Sequence, residues 1–171
     1  MTQNRYSMSF TSGALLRAES VTAAQIYLET GDWEAARNNV ITGNLLQMRT
    51  LNASRRIFRE VASRLKQLTP EQLDLLPGGN EEEQGYLLWL AFCRRYRFIY
   101  DFAVEMVREK FVRLDYGLTH EDYEVFFGRK AEWHPEMDQI STETRSKQRQ
   151  VVFKTMREAD LLSTDNQIIP A

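Results

Sequence analysis

Hydrophobic residues recur at helical spacing along most of the chain, and the pattern is most continuous over Asn80–Leu114. Nothing over Glu81–Phe111 breaks a helix except Gly85 near the start, so the pattern predicts one long helix. Residues 86–92 are apolar on every side, which is typical of a buried helix, and a single apolar stripe continues beyond Tyr96. We therefore expect the other elements to pack around this helix.

Shorter helices are predicted on both sides of it, with starts and ends indicated by capping residues and glycines. The predicted ranges are 12–31, 32–43, 52–68 and 69–76 before the long helix, and 119–133 and 141–162 after it. Tyr6, Met8 and Phe10 alternate with polar residues, which is compatible with either a short strand or an ordered arm. Residues 161–169 resemble a two-stranded hairpin around the polar turn 163–166.

The predicted fold class is all-α, with two small helical units joined by the long central helix. Pro77-Gly78-Gly79 is the strongest helix-breaking stretch, so the domain boundary is placed there, giving units of 1–77 and 78–171. The first unit resembles a helix-turn-helix, and the hairpin would make the second resemble a winged helix.

One predicted helix, Asn52–Leu68, separates apolar residues from basic residues. Ile57, Phe58, Val61, Leu65 and Leu68 fall on one face, and Arg55, Arg56, Arg59, Ser63 and Lys66 fall on the other. The only acidic residue in the helix, Glu60, lies at the edge of the basic arc. A basic helix that follows a helix and a glycine-containing turn is typical of the groove-reading element of a DNA-binding unit.

The basic face is also compatible with two roles that involve no nucleic acid. The face could dock on a protein partner with an acidic surface, or it could be an ordinary solvated helix face. Surface helices usually mix charges to form pairs four residues apart, and this one mostly does not. We therefore predict contact with nucleic acid.

The predicted DNA-binding residues come from two helices. They are Arg49, Arg55, Arg56, Arg59, Arg64 and Lys66 in the first unit, and Arg145, Lys147, Arg149 and Lys154 in the last long helix. Glu143 and Glu158 interrupt the second set, which makes it the weaker candidate.

Composition and charge limit the kind of binding site and the cellular compartment that the sequence is compatible with. The 171 residues are 43% hydrophobic and 27% charged, and the net charge is −2, so any nucleic-acid site must be a local patch. Cys93 is the single cysteine, which predicts no disulfide and fits a reducing cytoplasm. The longest apolar run of the central helix stops after residue 92, far short of the roughly 20 residues of a membrane span. We expect a cytoplasmic protein with no membrane contact.

Catalytic patterns are missing. His120 and His134 lack cysteine or carboxylate clusters at metal-ligand spacing, and no glycine-rich loop follows a strand. The sequence therefore predicts no enzyme, no cofactor, no metal and no small-molecule substrate.

Four stretches carry a resemblance to a known family: residues 6–16, 44–50, 86–111 and 131–137. They read YSMSFTSGALL, NLLQMRT, YLLWLAFCRRYRFIYDFAVEMVREKF and AEWHPEM, and they resemble the BrxA family of BREX phage-defence systems. The resemblance implies a cytoplasmic helical protein encoded with a methyltransferase, a large ATPase and a phosphatase-like protein. It also implies a fold like that of the RNA-binding antitermination factor NusB, and it supplies no catalytic motif.

The function expected from these observations is non-enzymatic binding of double-stranded DNA within a phage-defence assembly, with other BREX proteins as partners. Two alternatives stay open. One is an adaptor whose basic helix docks on an acidic surface of another BREX protein, and the other is RNA binding.

Overall fold

The computed structural model describes residues 5–170, and its regular secondary structure there is helical, which confirms the all-α prediction. The first five helices are α1 (Arg17–Thr30), α2 (Trp33–Thr42), α3 (Leu51–Leu65), α4 (Pro70–Leu75) and α5 (Glu81–Arg95). They are followed by α6 (Arg97–Phe102), a π-helical turn (Ala103–Arg108), α7 (Glu109–Val112), α8 (His120–Ala131), a 3₁₀ turn (Pro135–Gln139) and α9 (Thr142–Glu158).

The chain forms two compact units that divide after Arg95. The central unit is Leu15–Arg95, and the terminal unit comprises Tyr96–Ala171 together with Met1–Ala14, of which residues 5–170 are described. The units thus differ from the division into 1–77 and 78–171 expected from the sequence. The glycine-containing turn after α4 joins two elements of one unit, because α5 packs against α1 and α3.

The expectation of one uninterrupted helix over residues 80–114 is wrong at Tyr96. This residue has extended backbone angles, φ −122° and ψ 102°, so α5 ends before it and α6 begins after it. Its ring is fully buried and lies 5.2 Å from the ring of Phe10, centroid to centroid. The sequence has no glycine or proline at the interruption. What accompanies it is the packing of Tyr96 against a residue remote in the sequence.

Capping side chains begin several helices as the sequence predicted. The Asp32 carboxylate accepts a hydrogen bond from the backbone N–H of Ala35 at 2.9 Å. Thr69 and Gln72 form a complete capping box at the start of α4. Gly31 closes α1 in the left-handed conformation at φ 72°, which a residue with a Cβ adopts only with strain. These boundaries follow from local chemistry alone.

The core of the central unit is built on α3. The five apolar residues predicted to face inward, Ile57, Phe58, Val61, Leu65 and Leu68, are all buried. On α1 Leu28 is 41% exposed, although it stands at helical spacing from the buried Ala24. Small residues, Ser20, Ala23 and Ala24, are buried there, and they allow the neighbouring helices to approach closely.

The core of the terminal unit is aromatic. Phe98 and Phe102 of α6 pack edge-on or tilted against Tyr123 and Phe126 of α8, with ring centroids 5.3–5.9 Å apart. Tyr123, Phe126 and Phe127 share one side of α8, and all three are buried in this core.

The N-terminal segment of the described chain is an ordered arm and not a strand. Tyr6 and Phe10 are buried, and the Tyr6 hydroxyl donates a 2.5 Å hydrogen bond to Asp101. The side-chain amide of Gln148 donates to the backbone carbonyl of Met8 at 2.6 Å. Of the two alternatives that the sequence left open, the structure shows the arm.

The expected wing is reduced to isolated bridges. Leu162 and Ile168 form one antiparallel bridge around the turn at 163–166, and Gly117 forms another with Gln167. The hairpin therefore exists as a tight turn that falls short of strands in the described chain. No helix among residues 5–170 is both long enough and apolar enough to cross a bilayer.

Candidate nucleic-acid interface

The basic face of α3 lies on the outside of the central unit. Thr50 caps the helix by accepting a 3.1 Å hydrogen bond from the backbone N–H of Ala53. Burial of the apolar face of α3 then leaves Arg55, Arg56 and Arg59 exposed, with Lys66 exposed just after the last turn. The structure thus brings four of the predicted residues together on one surface.

These cations are not neutralised by carboxylates of their own unit. Arg55, Arg56 and Arg59 form no salt bridge and no side-chain hydrogen bond with any residue in the described part of the chain. The acidic residue of the helix, Glu60, instead binds Arg64 through a 2.9 Å contact. The positive charge of this face is therefore open to a ligand.

A groove runs beside the basic face, between α3, α2 and the end of α5. Its volume is about 810 Å³, and one wall consists of Arg55, Arg59 and Lys66. Trp33 and Arg37 of α2 and Arg95 of α5 also line it. At roughly 100° per residue Arg55, Arg59 and Lys66 fall within about 40° of one another on the helix, which explains their common wall.

The charge of the groove contrasts with that of the whole chain. Five positively charged side chains and one carboxylate, Glu34, line the groove, which gives it a net charge of +4. The chain as a whole carries −2. A local field of this sign concentrates anions at the groove although the protein is acidic overall.

Trp33 has a role that sequence reasoning missed. It is absent from the predicted DNA-binding residues, yet its indole is half-buried and lines the groove. Its ring stacks on Tyr27 with centroids 4.2 Å apart and planes 16° from parallel. The Lys66 ammonium lies 6.0 Å from the Trp33 ring centroid, at the outer limit of a cation–π contact. An aromatic ring thus lies among the cations.

Arg37 and Arg95 were also missed. Arg37 stands four residues after Trp33, a spacing that places both on one face of α2, so the sequence carried a signal for it. Arg95 is the last residue of α5 and lines the groove. It stands far from α2 and α3 in the sequence, so only the packing of α5 in the central unit reveals its place there.

Arg64 does not belong to the surface. Only 3% of it is exposed, and its guanidinium lies 4.4 Å above the centroid of the Phe92 ring. Its Nε atom contacts the Glu60 carboxylate at 2.9 Å. Arg64 is placed to stabilise the packing of α3 on α5, and not to reach a phosphate.

Arg49 is exposed but lies outside the groove lining, in the connection before α3. That connection comprises residues 43–50. The turn of a helix-turn-helix is usually only about 3–4 residues long. The arrangement of α2 and α3 therefore departs from a standard helix-turn-helix.

The second set of predicted residues, on α9, is largely paired. Arg145 and Arg149 both bind Glu124 of α8, at 3.1 and 2.7 Å, and Lys154 lies 3.8 Å from Glu158. Lys147 is exposed and forms no salt bridge with a described residue. The structure does not gather these four into an open basic face like that of α3.

Groups that could carry chemistry are scattered or buried. Burial raises the pKa of the Cys93 thiol well above its ordinary value, so the sulfur stays protonated and a weak nucleophile. Among residues 5–170 no cluster of three or more histidine, cysteine or acidic side chains could hold a metal ion.

The sequence matches a protein family and a named relative. A family model described as BrxA matches residues 4–171. A relative from Bacillus cereus (strain H3081.97), named BREX protein BrxA, is 26% identical over 126 residues, which cover 74% of this chain and 63% of that protein. The match thus spans less than two thirds of the relative's length.

A solved structure shows the same fold. The crystal structure of an uncharacterized protein from Magnetospirillum magneticum matches with a TM-score of 0.83 at 20% identity, over 98% of this chain and 86% of the other. Because the family model matches nearly the whole sequence, this chain belongs to the BrxA family.

Proposed function

We propose that this protein is a non-enzymatic component of a BREX phage-defence system and that it binds double-stranded DNA through the basic face of α3. The BREX assignment is supported by the family match and by the name of the Bacillus cereus relative. Other BREX proteins are the proposed protein partners, and the cytoplasmic location expected from the sequence stays a prediction.

The observation that supports DNA binding best is the row of exposed arginines on α3, which have no acidic partner within residues 5–170. Arg55 and Lys66 are separated by eleven positions, roughly 16 Å along a helix that rises about 1.5 Å per residue. Each strand of B-DNA carries one phosphate per roughly 3.4 Å of axis, so this length corresponds to about five phosphates. The face is therefore long enough to follow one strand of a duplex.

Contacts of this kind favour affinity over sequence discrimination. Most protein–DNA hydrogen bonds go to phosphate and sugar, which carry no direct sequence information. The guanidinium groups are on long side chains at a surface, and no residue of the described chain holds them in the fork geometry that reads guanine. We expect a weak sequence preference and strong salt dependence.

The test is duplex binding, followed by fluorescence anisotropy, for the wild type and the Arg55→Glu/Arg59→Glu variant at low salt. The matched control is Arg108→Glu/Arg113→Glu, which makes the same change of charge at exposed arginines of the terminal unit. The wild type and the control should bind, and the α3 variant should lose most of its affinity while circular dichroism shows an intact fold.

Three outcomes would contradict the proposal. Equal loss in the two variants would show that only the overall charge matters. Absence of wild-type binding, with capture of another BREX protein that depends on Arg55 and Arg59, would favour the adaptor. Tighter binding to an RNA of the same sequence would favour RNA recognition.

A further inference from the structure

We infer that the groove beside the basic face holds an unpaired nucleotide of a DNA strand, with its base against Trp33 and its phosphates against the surrounding arginines. This inference rests on the proposed function and deepens it, because it assigns the groove residues that an α3-only contact leaves unused. Those residues are Trp33 and Arg37 of α2 and Arg95 of α5.

The combination of an aromatic ring and several cations in one groove is typical of proteins that bind unpaired strands. In such sites the cations follow the backbone and the aromatic ring stacks on a base. Here Trp33 lies in a lining that also contains Arg37 and Arg59. Neither arginine forms a salt bridge within the described chain, so both remain available to phosphates.

The Trp33 ring is preorganised for stacking. Tyr27 lies nearly parallel to it, which fixes the plane of the indole and extends the stack on one side. Lys66 approaches the ring only to 6.0 Å, so its long side chain is held weakly and can turn toward a phosphate. A base that enters the groove meets a fixed ring and a movable cation.

The size of the groove suits a single nucleotide. Its volume of about 810 Å³ lies in the range of roughly 300–1,000 Å³ that is typical of small-ligand sites. Within a duplex the faces of the bases are covered by their neighbours, so a base must leave the stack before it can contact Trp33. The duplex can therefore lie along Arg55 and Arg59 while one extruded or unpaired nucleotide fills the groove.

The experiment compares three labelled DNA probes of equal length: a fully paired duplex, the same duplex with one bulged nucleotide, and a single strand. The wild type should bind the bulged duplex more tightly than the paired duplex. Stacking on one aromatic side chain corresponds to a preference of roughly 5- to 150-fold.

Substitutions at Trp33 separate stacking from a general loss of binding. Trp33→Ala should remove the preference for the bulged duplex and leave binding to the paired duplex nearly unchanged, whereas Trp33→Phe should keep much of the preference. Trp133→Ala is the matched control, because Trp133 is 72% exposed and lies in the terminal unit. It should behave as the wild type.

Arg37→Ala gives an independent test if Trp33→Ala fails to fold, because Arg37 is exposed and lies outside the core. It should lower affinity for the bulged duplex more than for the paired one. The inference would be overturned if Arg37→Ala weakened binding of the two probes equally, or if the wild type bound the bulged and the paired duplex equally well. Neither result would contradict the proposal that α3 binds duplex DNA.

Two further outcomes distinguish this inference from the proposed function. Binding of the single strand without any binding of the paired duplex would overturn duplex recognition and support the groove. The inference would also be overturned if deoxyadenosine monophosphate displaced the bulged duplex as effectively as the single strand does. The groove would then be a site for free nucleotides.

Discussion

Replacement of Arg64 by alanine should destabilise the protein without weakening DNA binding by the molecules that remain folded. Arg64 is 3% exposed, its Nε atom contacts the Glu60 carboxylate at 2.9 Å, and its guanidinium lies 4.4 Å above the Phe92 ring centroid. The substitution removes both contacts and leaves the Glu60 carboxylate, whose side chain is only 13% exposed, without this partner.

The magnitude follows from the burial of the pair. Loss of one partner of a buried ion pair typically costs about 3–5 kcal/mol, because the remaining charge is left desolvated. Water can reach Glu60 in part, so the lower end applies, about 3 kcal/mol including the lost cation–π contact. For a chain of this size about 2–4 °C of Tm is lost per kcal/mol, so Tm should fall by about 6–12 °C.

The assay pairs thermal denaturation with anisotropy, and Arg56→Ala is the control on the same helix. Arg56 is exposed and lacks a salt bridge within the described chain, so its removal should change the free energy of unfolding by no more than about 0.5 kcal/mol. Arg56→Ala should instead weaken DNA binding. A stable Arg64→Ala protein with reduced DNA affinity would refute the assignment of Arg64 to the core.

Three further predictions concern the scaffold. Gly31→Ala should cost about 1–2 kcal/mol in urea denaturation, because the position has φ 72° and the added Cβ meets no atom that would shift. Burial alone would raise the pKa of Glu136, but hydrogen bonds from the Tyr6 backbone N–H and the His134 ring outweigh it and lower the pKa. The stability contributed by ionised Glu136 is therefore present above the ordinary carboxyl pKa and is lost as the pH falls through the lowered pKa of the folded protein. In the acidic range between these two pKa values, Glu136→Gln should make Tm depend less on pH than in the wild type. Cys93 is buried with a raised thiol pKa, so iodoacetamide should label it only as fast as the protein opens; rapid labelling of the folded protein would contradict its burial.

Local signals in the sequence predicted the local features of the fold. Asp32, Thr69 and Thr119 begin helices because their side-chain oxygens accept hydrogen bonds from the backbone N–H groups three residues later. The apolar stripe of α3 predicted its buried face for a similar reason, since helical spacing alone determines which residues share a side.

Features set by packing between distant residues could not be predicted in this way. The interruption at Tyr96 carries no glycine or proline, and its buried ring contacts Phe10, 86 positions earlier. The two compact units also divide next to Tyr96, after Arg95. The sequence has no helix-breaking residue there, whereas Pro77-Gly78-Gly79 is an obvious break. Nothing in the local pattern revealed which break would separate two cores.

The candidate site shows both situations. Arg55, Arg56 and Arg59 were predictable because they lie opposite the apolar stripe. Arg64 lies seven residues after Ile57, a spacing that places it on the apolar side, so the pattern already argued against a surface role. Arg95 joins the groove only through the packing of α5, which the sequence alone does not give.

The most direct test of DNA binding by the α3 face is the salt dependence of duplex affinity. Each phosphate contact contributes roughly −0.9 to the slope of log K against log salt concentration, so Arg55, Arg56, Arg59 and Lys66 together predict a slope of roughly −3.6. Arg55→Glu/Arg59→Glu should make that slope shallower by at least roughly 1.8 while the helical content is unchanged. A wild-type slope near zero, or the same slope in wild type and variant, would contradict the assignment of the DNA site to this face.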